Sequence, residues 1–277
     1  MRFHRGETVK RRRQSRGRLP NRYQLSFPAT LKEKVAQANR ILAYTGLASG
    51  IRASLGHASA RDPDTGFVCT KGRGYTIDSL AKIQPEDLVT VDLEAKLIEG
   101  PPGVNPPNEI KMHTQIYKAR PEIHGIVHTH ASTSVLLSVL HKPILPMCND
   151  GGPSVAQGVP IFPSNVLIST DQLGDDVVEA MGKHPSIILR GHGPITTGRS
   201  VEEATINMIY LEEQAKLNYQ AFVVAGREHP SLTKEDIEAH RESLNELNEL
   251  PWLRQQRTSE PTRTGDRLWL IYSEFVS

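Results

Sequence analysis

Eleven histidines stand among the 277 residues, and four of them, His113, His124, His128 and His130, fall within eighteen positions. Residues 123–130 alternate as a strand does, and side chains two apart on a strand leave from the same face. The spacing therefore projects His128 and His130 to one side, close enough to share a metal ion. His124 has the same parity but sits further back, in a core or supporting position. A third ligand must come from elsewhere in the chain, and His192 is the best candidate. It follows the apolar run 187–189 and lies between Gly191 and Gly193, which let the backbone approach closely. Three imidazoles with an open position make a catalytic rather than a structural zinc-type site. Against this stands the plainer reading of hydrogen-bonded core or surface histidines.

Glu109 adds an acid/base. It follows a proline-rich stretch at the first turn of an expected helix, whose dipole favours the ionised carboxylate. A carboxylate beside an open metal position can move a proton to or from a substrate carbon or a bound water. His113 is four residues on and shares its helix face, where simple packing is the competing reading. Two polar segments, 56–61 and 69–74, combine glycines with Ser59, Arg61, Thr70, Lys71 and Arg73. Such loops cradle anions through backbone N–H groups and cations, and they are also common as ordinary turns.

These groups need elements to hold them. Thr30 and Glu33 form a capping box ahead of Leu31, Val35, Ala38, Ile41 and Leu42 at helical spacing, with Gly46 as the stop. Strand character follows at 67–70, at 88–91 and, as its hairpin partner, at 97–98. Residues 100–107 hold four prolines and two glycines and read as an irregular loop. A helix is expected over 109–119 with Asn108 as N-cap, then a strand over 123–130 and a helix over 132–140. Residues 143–163 form a long Gly/Pro-rich excursion of the kind kept for sites or subunit contacts. A short strand is expected at 166–168, a helix over 170–181, a buried strand at 187–189, and a long helix opened by Ser200 and Glu203. Thr233 and Asp236 mark what reads as the last helix.

Composition bounds the rest. The total charge of +2 hides an asymmetry: residues 1–20 carry eight Lys/Arg against Glu7, a net +7, which leaves −5 on the remainder. A basic body that binds nucleic acid is thereby disfavoured. The tail reads as solvated, or as the product of an early start codon, with transit or nuclear localisation as the other reading. No apolar run approaches the length of a membrane span, and no apolar segment follows the basic residues as in a secretory signal. Cys69 and Cys148 form no metal or disulfide framework, in keeping with a reducing, cytoplasmic location. The expected organisation is a disordered basic tail at 1–25, one α/β catalytic domain at 26–250, and an extension at 251–277.

Taken together, the motifs resemble the class II aldolase/adducin family over roughly residues 28–225. Its GN-x-S-x-R loop is similar to Gly56–Arg61, its PSSE segment to Pro106-Pro107-Asn108-Glu109, its VHTH strand to Val127–His130, and its LxxHG segment to Leu189–Gly193. The resemblance implies a three-layer α/β/α fold around a central, largely antiparallel sheet. It also implies a divalent-metal triad at His128, His130 and His192, Glu109 as catalytic acid/base, and a homotetramer with sites at subunit interfaces. Zinc is the default ion, with manganese, cobalt and iron compatible with imidazoles and an open position.

Departures from the family pattern narrow the chemistry. Where sugar-phosphate aldolases of the family carry phosphate-binding serines, this chain has Pro107 and Asn108, and His57 replaces the Asn of the first loop. Lys71 and Arg73 suit a carboxylate. The sequence thus resembles the branch that decarboxylates hydroxylated aromatic acids of the dihydroxyphthalate type. In that reading Glu109 protonates carbon, aided by His57, and Ser59, Arg61, Thr70, Lys71, Arg73 and Asn108 bind substrate. The partner is a small carboxylate rather than nucleic acid or membrane. Aldol cleavage or epimerisation of a sugar derivative is the rival reaction, and a non-catalytic adducin-like scaffold is the rival class.

Overall fold

The computed structural model describes residues 30–76, 78–226, 228–251 and 264–277, so the expected basic tail lies outside the described residues. Strands β1 (His57–Arg61), β2 (Val68–Lys71), β3 (Leu88–Val91), β4 (Leu97–Glu99), β5 (Gly125–His128), β6 (Ile161–Phe162), β7 (Ser186–Leu189) and β8 (Gly193–Gly198) form one sheet. Its order is β4-β3-β2-β1-β5-β8-β7-β6, antiparallel throughout except for the parallel β6–β7 pair at one edge.

Alternation along the strands sorts their side chains onto two faces. Ala58, Ala60, Cys69 and Val127 pack beneath helices α1 (Leu31–Tyr44) and α6 (Val201–Ala225). Ile126, Val68, Ile187 and Leu189 point the other way, into a core closed by α2 (Ile110–Ala119) and α5 (Asp171–Met181). Helices α3 (Ser132–Val139) and α4 (Gly152–Val155) join the α6 side through Leu137, Val155 and Leu211. The molecule is therefore the three-layer α/β/α fold around a mainly antiparallel sheet that the resemblance implies.

The caps do what their residues dictate. Thr30 and Glu33 close a reciprocal capping box at α1, Thr170 caps α5, and Ser200 caps α6 through Glu203 N. Thr233 and Asp236 open α7 (Lys234–Glu249), an acidic helix with no buried residue. A further helix, α8 (Thr264–Phe275), follows the one expected to be last, and its Trp269 is buried in the α1–α6 core.

Four local expectations are corrected. Residues 57–61 are a central strand rather than a loop, because small Ala58 and Ala60 serve the core face while His57 and Ser59 face α2. The ladder through β5 ends at His128, paired with Ile195, so His130 lies beyond the strand, on the turn into α3. Helix α2 starts at Ile110 with Glu109 itself in the cap position, because the chain turns first through Ile110 N to Pro107 O at 3.1 Å. The short parallel strand is at 161–162 rather than 166–168; Val166 and Leu167 are exposed there and only Ile168 turns inward.

Two glycines clamp the end of β5. A Cβ on Gly193 would lie 2.0 Å from the Thr129 carbonyl oxygen, and one on Gly56 would lie 2.7 Å from the His128 oxygen. Gly56 also holds a φ of +94°, which side-chain-bearing residues seldom adopt. Both obstacles are backbone atoms, one at the last paired residue of β5 and one just beyond it where Thr129 N bonds Pro194 O, and neither can swing aside. Gly193→Ala should therefore lower stability by about 3 kcal/mol, the upper end for overpacking a rigid interior. Chemical denaturation of the two proteins measures this.

Candidate metal centre

At the end of β5 the clamped segment delivers two imidazoles, and the β7–β8 turn delivers a third. The ring centroids of His128 and His130 are 5.2 Å apart, those of His128 and His192 5.0 Å, and those of His130 and His192 4.7 Å. Glu109 reaches in from the α2 cap. Its Oε2 is 3.4 Å from His192 Nε2 and 3.8 Å from His128 Nε2. One ligand atom from each of these four residues lies within 4.8 Å of the others.

Hydrogen bonding assigns the nitrogens. His128 Nδ1 donates to the Pro194 carbonyl at 3.0 Å, which orients the ring and leaves Nε2 buried with no protein partner. A ligating histidine is held in this way, through its other ring N–H. Burial pushes His128 down to about 3 and His130 down to about 4, so both are neutral near pH 7 with a lone pair to offer. Burial works against ionising Glu109, but the hydrogen bond from His192, the facing His128 and His192 rings and the Ile168 amide outweigh it and hold the carboxyl at about 2. The amide of Ile168 pins Glu109 Oε1 at 3.3 Å. Neutral His128 and His130, the orphaned His128 Nε2, the His192 ring and an ionised carboxylate are a donor set that fits a divalent cation.

The other expected residues divide. His57 faces His128 across the β1–β5 ladder, with ring centroids 5.6 Å apart. Ser59 lies behind it, fully buried, with its Oγ 2.7 Å from His113 Nδ1. Thr70 spends its hydroxyl on the Ala58 carbonyl. Lys71 turns to the opposite face of the sheet, where its ammonium donates to Asp78 Oδ1 at 2.6 Å and Ser54 O at 3.1 Å. Arg61 sits at the far end of β1, donating to the carbonyls of Tyr117, Pro121 and Ile123. These contacts tie β1 to the end of α2 and to the turn that leads into β5. Arg73 and Asn108 are exposed, and the Arg73 backbone bridges Asn105 in the proline-rich loop.

Three contributors escaped the sequence. Pro194 and Ile168 act through backbone atoms, which carry no residue-type signal. Arg52, on a short 3-10 turn, places enough charge near His130 to depress its pKa. His113 and Tyr117 were legible only as a face: with Glu109 they repeat every fourth residue along α2.

The model of the Class II Aldolase and Adducin N-terminal domain matches residues 33–219. The chain belongs to this family. The 3,4-dihydroxyphthalate decarboxylase of Arthrobacter keyseri is 34% identical over 207 residues, covering 72% of this chain and 81% of that protein. The L-fuculose phosphate aldolase of Methanococcus maripaludis is 32% identical over 166 residues, 59% of this chain and 84% of that one. Among solved structures, L-fuculose 1-phosphate aldolase from Glaciozyma antarctica PI12 superposes with a TM-score of 0.70 at 22% identity, over 91% of this chain and 94% of that one. That last likeness bears on fold alone. No helix among the described residues is long and apolar enough to cross a membrane.

The depressed histidines make the metal-free protein acid-sensitive. His128 and His113 each titrate at about 3 when folded, against an ordinary 6.5, so between those values the unfolded chain binds more protons. Their contribution to stability is complete above about pH 6.5 and falls progressively toward pH 3. The melting temperature of the chelated protein should drop between pH 7 and pH 5, and more steeply than that of a His113→Gln variant, as scanning calorimetry would show.

Proposed function

We propose that the chain is a metal-dependent decarboxylase of a small hydroxylated, aromatic carboxylic acid of the dihydroxyphthalate type. The observation that carries this reading is the Glu109 carboxylate poised over the three imidazoles, 3.4 Å from His192 and 3.8 Å from His128. The choice of decarboxylation is supported by the relatives of that activity at 34% identity. Further support comes from Pro107, Asn108 and His57 at positions where a phosphate cradle would need serines and asparagine.

A divalent ion held by His128, His130 and His192, zinc before manganese, cobalt or iron, would supply Lewis acidity for the electron pair released when the carbon–carbon bond opens. The chain's own work is to manage the proton. With Oε1 fixed by the Ile168 amide, Glu109 presents Oε2 to the centre. Ionised Oε2 accepts the proton of a substrate hydroxyl; as CO2 departs it returns that proton to the ring carbon, leaving the product hydroxyl ionised until solvent reprotonates it. Burial of His57, His113 and His128 keeps water from competing for the carbanionic carbon.

Lys71 is paired with Asp78 and Arg61 donates to carbonyls, which argues against either as the carboxylate clamp in this reading. Arg73 and Arg52, with no side-chain ion pair among the described residues, take that role. The working assembly in this reading is a homotetramer, and exposed Leu136 and Val139 on α3, with Leu140 just after it, supply an apolar face for it. Aldol cleavage of a sugar derivative is the second reading, favoured by the 32% identical fuculose phosphate aldolase.

Glu109→Gln should retain about one metal ion per chain yet lose about 10²–10⁴-fold in turnover, the range for removing a general acid/base. His128→Ala should lose the ion itself. Metal analysis beside CO2 release from dihydroxyphthalate-type acids decides: aldehyde release from a sugar phosphate without CO2 would sink the decarboxylase assignment.

A further inference from the structure

Behind the metal centre lies a buried array that the proton transfer at Glu109 does not use. His113 is fully buried, and its ring lies 4.5 Å centroid to centroid from that of His57 at a tilt of 50°. Ser59 Oγ is 2.7 Å from His113 Nδ1 and 2.9 Å from the Tyr117 hydroxyl, and that hydroxyl also donates to the Ser59 carbonyl at 3.1 Å. Arg61 lies 5.3 Å over the Tyr117 ring and donates to the Tyr117 carbonyl, fixing the outer end. At the inner end two nitrogens, His113 Nε2 and His57 Nδ1, are shut off from solvent and have no other partner. The residual access of the His57 ring is left to Nε2.

Counting protons gives the array a direction. Tyr117 has one hydroxyl proton, and donating it to the Ser59 carbonyl leaves its oxygen as an acceptor. The 2.9 Å contact then takes the Ser59 hydroxyl proton, so the 2.7 Å contact must be filled by a proton on His113 Nδ1. Only this assignment satisfies all three contacts at once. It leaves His113 Nε2 as a bare lone pair on a ring packed against that of His57, whose buried Nδ1 also lacks a partner. An unmet buried nitrogen costs about 1–3 kcal/mol, so one water bridging the two orphans would remove two penalties together.

We propose that Tyr117, Ser59 and His113 are positioning residues that hold His57 as the Nδ1–H tautomer, so that its accessible Nε2 is a lone-pair acceptor for a substrate hydroxyl adjacent to the reacting one. The tautomer half of this inference stands on geometry; the hydroxyl half rests on the proposed hydroxy-acid substrate. Burial is the main effect that disfavours an imidazolium at His57, and the Lys71 ammonium adds to it; His113, His128 and His130 are the other titratable groups around the ring. A neutral acceptor recognises a hydroxyl donor and rejects a carboxylate or an ether at the same place.

The test is long-range ¹H–¹⁵N correlation on the zinc-loaded, full-length protein carrying ¹⁵N-histidine, with His57 assigned from a His57→Gln sample. The expected spectrum has His57 protonated at Nδ1 and bare at Nε2. In Ser59→Ala, His57 should shift toward the Nε2–H form that free imidazole prefers, and Tyr117→Phe, which keeps the ring, should do the same if Ser59→Ala fails to fold. His57 protonated at Nε2 in the wild type, or a tautomer unmoved in both variants, overturns the relay. On the substrate side, methylating the second hydroxyl of a turned-over acid should lower kcat/KM about tenfold or more, and His57→Phe should erase that discrimination. Discrimination that survives His57→Phe overturns the hydroxyl contact. If no hydroxy-acid releases CO2, the decarboxylase reading fails, while the tautomer spectrum still judges the relay.

Discussion

The site depends on how closely three stretches of backbone approach one another where β1, β5 and β8 meet. Gly193 brings β8 against the Thr129 carbonyl, and Gly56 brings the start of β1 against the His128 carbonyl. With no Cβ on either side, the His128–His130 segment is held from both flanks by main chain. From that one constraint follow the Pro194 carbonyl beneath His128 Nδ1, the cross-strand pairing of His57 with His128, and the entry of His192 from the β7–β8 turn. Glu212 completes the frame. Its buried carboxylate accepts from Thr133 N and Ser134 N, fixing the helix that begins two residues after His130.

Electrostatics follow from burial more than from the distribution of charge. An interior of low polarity keeps His57, His113, His128 and His130 unprotonated, which turns a would-be cluster of like charges into a cluster of lone pairs. Glu109 is then the one anion among neutral donors. The cations that composition offered have other duties, Lys71 on one face and Arg61 at the far end of β1.

Much of the fold could be read where local chemistry and tertiary structure agree. The capping boxes at Thr30 and Thr233 and the cap at Ser200 set helix starts to the residue, while the helix expected from 170 starts one residue later with Thr170 as its cap. The histidine spacing singled out His128 and His130, and the glycine-flanked position after an apolar run singled out His192, although His130 arrives by a turn rather than by strand alternation. What failed to show had specific causes. Strand β1 carries Ala on its core face and His and Ser on the other, so it lacks the bulky apolar alternation that marks a strand. Strand β8 begins Gly-Pro, a pair that reads as a turn, yet Pro194 fits because its carbonyl is the group the sheet and His128 need. Lys71 and Arg73 sit two apart in sequence and looked like one cradle; the buried Asp78 contact separates them.

The Ile168 amide carries an implication for how such a site drifts over generations. Its side chain fills the α2–α5 core, while its N–H holds Glu109 in place. Every amino acid except proline brings that N–H, so the tether on the acid survives any exchange of similar volume at this position. A comparison of side chains would see a variable apolar residue there and overlook a fixed partner of the carboxylate. The parts of this centre that act through main chain are thus insulated from mutation, and selection on them falls on the glycines and packing that place the backbone.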